Sequence, residues 1–161
     1  MRASHRVLFV CAGNICRSPT AAGVFRTLAA RAGVAERYQV DSAGVHAYRQ
    51  DLPPDARAIK VAAGRGFDIA GSRSRLVVPA DFATFDLIAA MDRDNLGHLR
   101  YMCPPPAAAR LQLFMSFVPG ASVQDVPDPY CGEAGFERVF DLIEAGCRGL
   151  LGRLESGTAA N

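Results

Sequence analysis

The sequence has little excess charge of either sign and no long apolar run. Its 161 residues carry a formal net charge of only +2 at pH 7, which argues against binding to nucleic acid or to a membrane surface. Residues 1–6 are polar, and the apolar run at residues 7–10 is too short for a signal-peptide core or a membrane span. We therefore expect a cytoplasmic protein, or one that is secreted by a route that needs no signal peptide.

The sequence also lacks the cysteine and histidine patterns of a disulfide framework or a metal site. Its five cysteines are an odd number, and no two CxxC pairs occur at zinc spacing. The three histidines, His5, His46 and His98, are scattered along the chain and predict no ligand cluster. We expect no metal and no cofactor, and we expect His46 to be a solvated loop residue.

The composition is that of an ordinary globular protein, with 50% hydrophobic and 21% charged residues. A domain of this length buries roughly 70% of its unfolded surface, so it needs no disulfide or metal to fold. We predict one domain over residues 1–155, followed by a flexible C-terminal tail at 156–161 that is rich in small residues. We expect a monomer or a weak dimer.

Short apolar runs alternate with longer segments of helical periodicity. The runs predict strands at 6–11, 38–42, 85–91 and 111–117, and the periodic segments predict helices at 19–33, 54–64, 92–100 and 135–154. Ser18 and Pro19 are expected as the N-cap and first residue of the first helix. This alternation predicts a single-domain α/β fold of the Rossmann-like or flavodoxin-like type. Its four-stranded, parallel, twisted sheet would carry helices on both faces.

The segment after the first strand, CAGNICRS at residues 11–18, has the pattern of an anion-binding loop. Such a loop points its backbone N–H groups inward, and the following helix adds the positive end of its dipole. Arg17 would grip two phosphate oxygens, and the same positive field would stabilise the thiolate of Cys11, to which Ser18 could donate a hydrogen bond. Gly13 and Asn14 tolerate left-handed backbone. The predicted phosphate-binding residues are Ala12, Gly13, Asn14, Ile15, Cys16, Arg17 and Ser18.

The string VCAGNICRSP resembles the active-site loop of the low-molecular-weight protein tyrosine phosphatases, and the similarity extends over about residues 6–154. It implies that Cys11 attacks phosphorus to form a cysteinyl-phosphate while Arg17 clamps the phosphate. The sequence DSAG at residues 41–44 is similar to a family motif whose serine implies that Ser42 supports Asn14. The segment from Phe85 to Leu96 resembles the family's FD…AMD…NL and is interpreted as scaffold.

The sequence DPY at residues 128–130 resembles the family motif that carries the general acid. The leaving phenolate needs a proton, which a carboxylic acid on a loop can supply before it accepts one from the attacking water. Asp128 is therefore the predicted acid, with Asp125 as a nearby competitor. Outside this context an aspartate before proline would be interpreted as a turn residue.

The resemblance also places two aromatic residues, Tyr48 and Tyr130, on either side of the substrate ring. Such walls would select flat aryl phosphates by stacking, although either tyrosine could be an ordinary packing residue. Three departures from the family pattern stand out. Cys131 replaces a second tyrosine, SRSR at residues 72–75 replaces a string like HRAR, and the usual tryptophan or histidine neighbours of Tyr48 are missing. Ser72 would then support Asn14 in a different way, or the loop would be looser.

The expected activity is hydrolysis of phosphotyrosine and small aryl phosphates, with phosphotyrosine proteins as partners. An arsenate reductase would need further cysteines, and residues 85–100 contain none. An arginine phosphatase typically has threonine in place of Ile15, and a catalytically silent phosphate-binding module is the third alternative. Two interpretations of Cys16 stay open: a protective disulfide with Cys11, or a small buried side chain.

Overall fold

The structure, a computed structural model, describes residues 4–46, 50–130 and 135–159. Residues 158 and 159 are described by their backbone only. The strands are β1 (His5–Cys11), β2 (Tyr38–Gly44), β3 (Leu87–Ala90) and β4 (Leu111–Leu113). The α-helices are α1 (Arg17–Arg31), α2 (Ala56–Gly64), α3 (Asp81–Thr84), α4 (Arg93–Met102) and α5 (Phe136–Ala159). Short 3-10 segments cover Ala35–Arg37, Pro105–Arg110 and Phe114–Phe117.

The strands form one parallel sheet in the order β2-β1-β3-β4. Strand β1 lies between β2 and β3. After β1, the chain first adds β2 next to one edge of β1 and later adds β3 next to the opposite edge of β1. In open α/β sheets, ligands bind outside the carboxyl ends of the strands at this switch point. The predicted four-stranded parallel sheet is confirmed, and Cys11 occupies the carboxyl end of β1.

Alternating residues of β1 contribute to two separate hydrophobic clusters. Val7 and Phe9 pack with residues of α1, α2 and α5, whereas Leu8 and Val10 pack with residues of α3 and α4. Successive side chains of a strand point to opposite faces, and a strand covered on both faces reads as a continuous apolar run. The prediction of helices on both faces of the sheet is therefore confirmed.

The predicted strand at 111–117 is wrong in its second half. Strand β4 ends at Leu113, and residues Phe114–Phe117 form a 3-10 turn instead. This turn places the buried Phe114 ring 6.0 Å from the ring of Phe9. Helix α5 packs directly on this turn. The approach is so close that a Cβ atom added at Gly149 would lie only 1.9 Å from the Phe117 carbonyl oxygen.

Several helix boundaries also differ from the prediction, including the start of α1 and the end of α5. Helix α1 begins at Arg17, two residues before Pro19, and Ser18 is not its N-cap because its hydroxyl is engaged elsewhere. Helix α5 continues to Ala159, past the predicted end at residue 154, so it overlaps the predicted tail. Within the described ranges, no helix is both long and apolar enough to cross a membrane.

Candidate active site

Residues 12–16 form a loop that joins the carboxyl end of β1 to the start of α1. Its left-handed residue is Asn14, with φ of 58°. Asparagine accepts this conformation more readily than most residues with a side chain. The prediction was right for Asn14 and wrong for Gly13, whose φ is not positive.

The buried Asn14 side chain holds the loop through three hydrogen bonds. Its Nδ2 donates to Ser18 Oγ at 2.8 Å and to Ser42 Oγ at 2.9 Å, so the predicted contact with Ser42 is present. Its Oδ1 accepts from the backbone N–H of Arg75 at 2.9 Å. The loop is thus attached to α1, to β2 and to the segment beside β2.

Of the two alternatives at position 72, support of Asn14 by Ser72 does not appear among the described hydrogen bonds, and a looser loop stays untested. The backbone N–H of Ser72 donates to the Ile69 carbonyl, and the third bond to Asn14 comes from the main chain of Arg75. Because the donor is a backbone N–H, this hydrogen bond to Asn14 does not depend on the side chain at position 72. Glycine at position 44 lets the end of β2 pack closely against the loop. A Cβ atom added at Gly44 would lie 2.6 Å from the Ala12 carbonyl oxygen.

The sulfur of Cys11 lies 3.0 Å from Ser18 Oγ. Because Ser18 Oγ already accepts from Asn14, its own proton can point toward the sulfur. The Ala43 carbonyl competes for that proton at a longer distance, 3.4 Å. The Ser18 hydroxyl is thus placed to donate a hydrogen bond to the Cys11 sulfur, as predicted.

Arg17 is buried, with only 2% of its side chain exposed. Its Nη1 donates to Asp92 Oδ2 at 2.6 Å and to the Val126 carbonyl at 2.9 Å, while its Nη2 lies 3.6 Å from Asp128 Oδ2. Burial is the largest single influence and lowers the pKa of Arg17, but the negative groups of Cys11 and Asp92 outweigh it and raise the pKa. The guanidinium therefore stays charged beside the sulfur.

Asp92 orients Arg17, a contact that the sequence did not predict. Its Oδ2 binds the guanidinium, and its Oδ1 accepts from the Asn95 N–H at 2.7 Å and so caps α4. The scaffold interpretation of this segment was incomplete. The available signal was the position of Asp92 just beyond β3, because carboxyl ends of parallel strands meet at one edge of a sheet.

The loop, Arg17 and Asp128 enclose one cleft of about 610 Å³. Its lining residues are Cys11, Ala12, Gly13, Ile15, Cys16, Arg17, His46, Leu52, Asp128 and Tyr130. The Asp128 side chain is 43% exposed, and its Oδ1 accepts from the Tyr130 N–H at 3.0 Å. Ile15 and Leu52 add apolar surface to the cleft, and the sequence did not identify Leu52 as a site residue.

The profile of the family described as "Low molecular weight phosphotyrosine protein phosphatase" matches residues 6–159. The chain belongs to this family. The prediction of the family is confirmed, and with it the enzyme class, a hydrolase of phosphoric monoesters.

Three similar proteins illustrate the relationship. The low molecular weight protein-tyrosine-phosphatase YfkJ of Bacillus subtilis is 38% identical over 92% of this chain and 95% of its own. A crystal structure of a protein tyrosine phosphatase from Entamoeba histolytica, with Hepes in the active site, has a TM-score of 0.91 and 41% identity and covers 96% of this chain and 99% of its own. The structure of a Drosophila arginine phosphatase is also similar, with a TM-score of 0.84 and 31% identity over 92% and 96% of the two chains.

Asp125 is not one of the residues that line the cleft of the phosphatase. Asp125 accepts from the backbone N–H of Arg93 at 2.8 Å and pairs with its guanidinium at 3.0 Å. These hydrogen bonds hold the pKa of Asp125 below its usual value. A carboxylate held ionised in this way is a poor proton donor, so the geometry favours Asp128 as the acid.

Cys16 is buried and lines the same cleft. Burial, reinforced by the nearby Asp55 and Cys11, raises the pKa of Cys16 to about 12. It is therefore a neutral thiol near pH 7 and not a second nucleophile. Both interpretations of Cys16 stay open, because its burial suits a packing residue and its interaction with Cys11 places the two residues near each other.

Two of the three histidines lie together in the folded phosphatase. His46 Nε2 lies 3.2 Å from His98 Nε2, so His46 contacts α4 and is not simply a solvated loop residue. His46 and His98 meet because β2 and β3 bring their following segments to one edge of the sheet. Tyr48 and Cys131 lie outside the described residues, and Tyr130 is exposed at the rim of the cleft.

Proposed function

We propose that the protein hydrolyses phosphotyrosine and small aryl phosphate monoesters through a cysteinyl-phosphate, with Cys11 as nucleophile, Arg17 as phosphate clamp and Asp128 as general acid. One observation carries the proposal. A cysteine supported by a hydroxyl, a buried guanidinium and a half-exposed carboxylate border the same cleft at the switch point of the sheet.

In the first step, the Cys11 thiolate attacks phosphorus, so that a P–S bond forms as the P–O bond to the phenol breaks. The backbone N–H groups of residues 12–17 and the guanidinium of Arg17 hold the equatorial oxygens. Asp92 and the Val126 carbonyl occupy Nη1 of Arg17, whereas Nη2 lies 3.6 Å from Asp128 Oδ2 and makes neither of these two hydrogen bonds. The clamp is therefore fixed before substrate arrives, and its orientation costs little on binding.

In the second step, water attacks the phosphoenzyme and restores the thiolate. Asp128 gives its proton to the leaving phenolate in the first step, so it is ionised and can take a proton from this water. The half-exposed position of Asp128 at the mouth of the cleft supports both roles. This chemistry uses no metal and no cofactor.

The walls of the cleft support an aryl substrate. Tyr130 lies at the rim, and the guanidinium of Arg57 lies 5.5 Å from the centre of its ring. Ile15 and Leu52 offer further apolar contact. We propose that Tyr130 and Tyr48 contact the substrate ring from two sides. We also propose that the protein acts in the cytoplasm as a monomer or weak dimer.

The first test replaces the nucleophile. We expect Cys11→Ser to abolish turnover of p-nitrophenyl phosphate and of a phosphotyrosine peptide, because an uncharged hydroxyl is a far weaker nucleophile than a thiolate. Binding of phosphate, measured by calorimetry, should survive because the loop and Arg17 remain. Cys103→Ser is the matched control, since Cys103 lies outside the cleft. Full turnover by Cys11→Ser would contradict the proposal.

The same assay separates the substrate classes. A phosphotyrosine peptide should give a higher kcat/KM than the same peptide with phosphoarginine, because the cleft offers aromatic and apolar surface beside Ile15. The reverse preference would favour the activity named for the Drosophila structure.

A further inference from the structure

A second cluster of chemically capable side chains lies beside the catalytic groups. His46 follows β2 and lines the cleft, while Asp94 and His98 are four positions apart on one face of α4. The His98 and Asp94 side chains are 43% and 77% exposed. An ion could therefore reach them from solvent without any rearrangement of the core.

The three side chains converge closely. The two imidazole planes are nearly perpendicular, at 85°, with Nε2 atoms 3.2 Å apart. Asp94 Oδ2 lies 3.8 Å from His98 Nε2. One ligand atom from each of the three residues lies within 4.8 Å of the others.

We propose that His46, Asp94 and His98 form a zinc-binding site on the wall of the catalytic cleft. Zinc binds imidazole nitrogen at about 2.0–2.1 Å in tetrahedral geometry, which places two such nitrogens about 3.3 Å apart. The observed separation of 3.2 Å matches this value. Two imidazoles and one carboxylate are ligands that suit Zn²⁺ rather than Mg²⁺ or Ca²⁺, which prefer sites built from oxygen alone.

The site is separate from the hydrolytic chemistry. None of Cys11, Arg17 and Asp128 belongs to it, so the ion takes no part in the proposed steps. Three protein ligands leave a fourth tetrahedral position for water. Because His46 also lines the cleft, the ion would add positive charge to a wall that a phosphorylated substrate passes.

The test measures zinc binding directly, by calorimetric titration of the metal-stripped full chain. A Cys11→Ser background removes the catalytic thiolate, which could bind zinc by itself. We expect one equivalent of zinc to bind in this background. His46→Ala and His98→Ala should each weaken binding tenfold or more, since even the loss of groups that only support metal ligands costs 10- to 100-fold. Asp94→Asn should weaken it less.

His5→Ala is the matched control, because it removes an imidazole at the start of β1, outside the cluster. It should leave zinc affinity unchanged. Zinc should also raise the Tm of the Cys11→Ser protein but not that of its His98→Ala derivative, because a ligand stabilises only the fold that binds it. No saturable zinc binding, or equal affinity with and without His98, would overturn the site and leave a simple imidazole–imidazole hydrogen bond. Unchanged affinity in Asp94→Asn would overturn the carboxylate ligand.

Discussion

Asp128 and Asp125 lie three positions apart, yet their surroundings suit them to different tasks. Asp128 borders the cleft, whereas Asp125 is paired with Arg93 at the start of α4. We expect Asp128→Ala to lower kcat for a phosphotyrosine peptide about a hundredfold or more, because the phenolate then leaves without its proton donor. Steady-state kinetics would check this, with Asp125→Ala as the matched variant. A decrease of less than about threefold in Asp128→Ala would assign the acid to another group.

Asp92 performs two functions that one substitution can separate. Asparagine caps helices about as well as aspartate, so Asp92→Asn should keep α4 intact. The charged partner of Arg17 is lost, however, and the clamp can then rotate. We expect kcat/KM to fall roughly tenfold to a hundredfold, the scale of a small displacement of a catalytic group. Asp141→Asn removes an exposed ion pair on α5 and should leave kcat/KM unchanged. An active Asp92→Asn enzyme would show that the Val126 carbonyl suffices to hold Arg17.

The local motifs predicted Cys11, Arg17 and Asp128, since each lies in a short string whose residue types suit one reaction. Apart from the Asn14–Ser42 contact, which the family resemblance implied, contacts between distant residues could not be predicted in this way. Asp92 meets Arg17 across 75 positions, and His46 meets His98 across 52. Such pairs depend on which strand ends adjoin at the edge of the sheet, and that order follows from the packing of the whole domain.

At the scale of elements, the apolar runs located all four strands, but packing decided where two elements begin or end. Helix α1 starts at Arg17 because the Ser18 hydroxyl serves Cys11 and Asn14 instead of capping the helix. Strand β4 ends at Leu113 because Phe114 turns into the core beneath α5. Neither the start of α1 nor the end of β4 can be predicted from local propensity, because each depends on a tertiary contact.

The approach of α5 to the turn at Phe114–Phe117 requires glycine at one position. A Cβ added at Gly149 would lie 1.9 Å from the Phe117 carbonyl oxygen, whereas one added at Gly152 would meet nothing within 4 Å. We expect Gly149→Ala to lower the free energy of unfolding by about 1–3 kcal/mol, because helix and turn must move apart. Gly152→Ala should raise it by roughly 0.5–1 kcal/mol through better helix propensity. Urea unfolding would compare the two variants, and equal effects would contradict the packing argument.

At the scale of the whole molecule, several weak acids lie in apolar surroundings and should make the fold sensitive to alkali. Burial raises the pKa of Cys147 in α5, and it raises the pKa of Cys16 to about 12. Burial and the hydrogen bond to Glu155 also raise the pKa of Tyr38, where β2 meets α5. A group whose pKa is higher in the folded state stabilises the fold fully below its unfolded pKa. That stability is lost as pH rises toward the folded value.

Unfolded cysteine titrates near pH 8.5 and unfolded tyrosine near pH 10, so the stability that these three groups contribute should be constant below about pH 8 and fall progressively above it. One buried thiol contributes at most about 1.4 kcal/mol of this loss per pH unit. Cys147→Ala should therefore lower stability at pH 7 by leaving a cavity, yet show a shallower fall between pH 9 and 11. Urea unfolding under reducing conditions would measure both slopes. If the free energy of unfolding fell equally steeply with pH in the wild-type protein and in Cys147→Ala, the Cys147 thiol would have the same pKa in the folded and unfolded chains. Its burial would then contribute nothing to the pH dependence of stability.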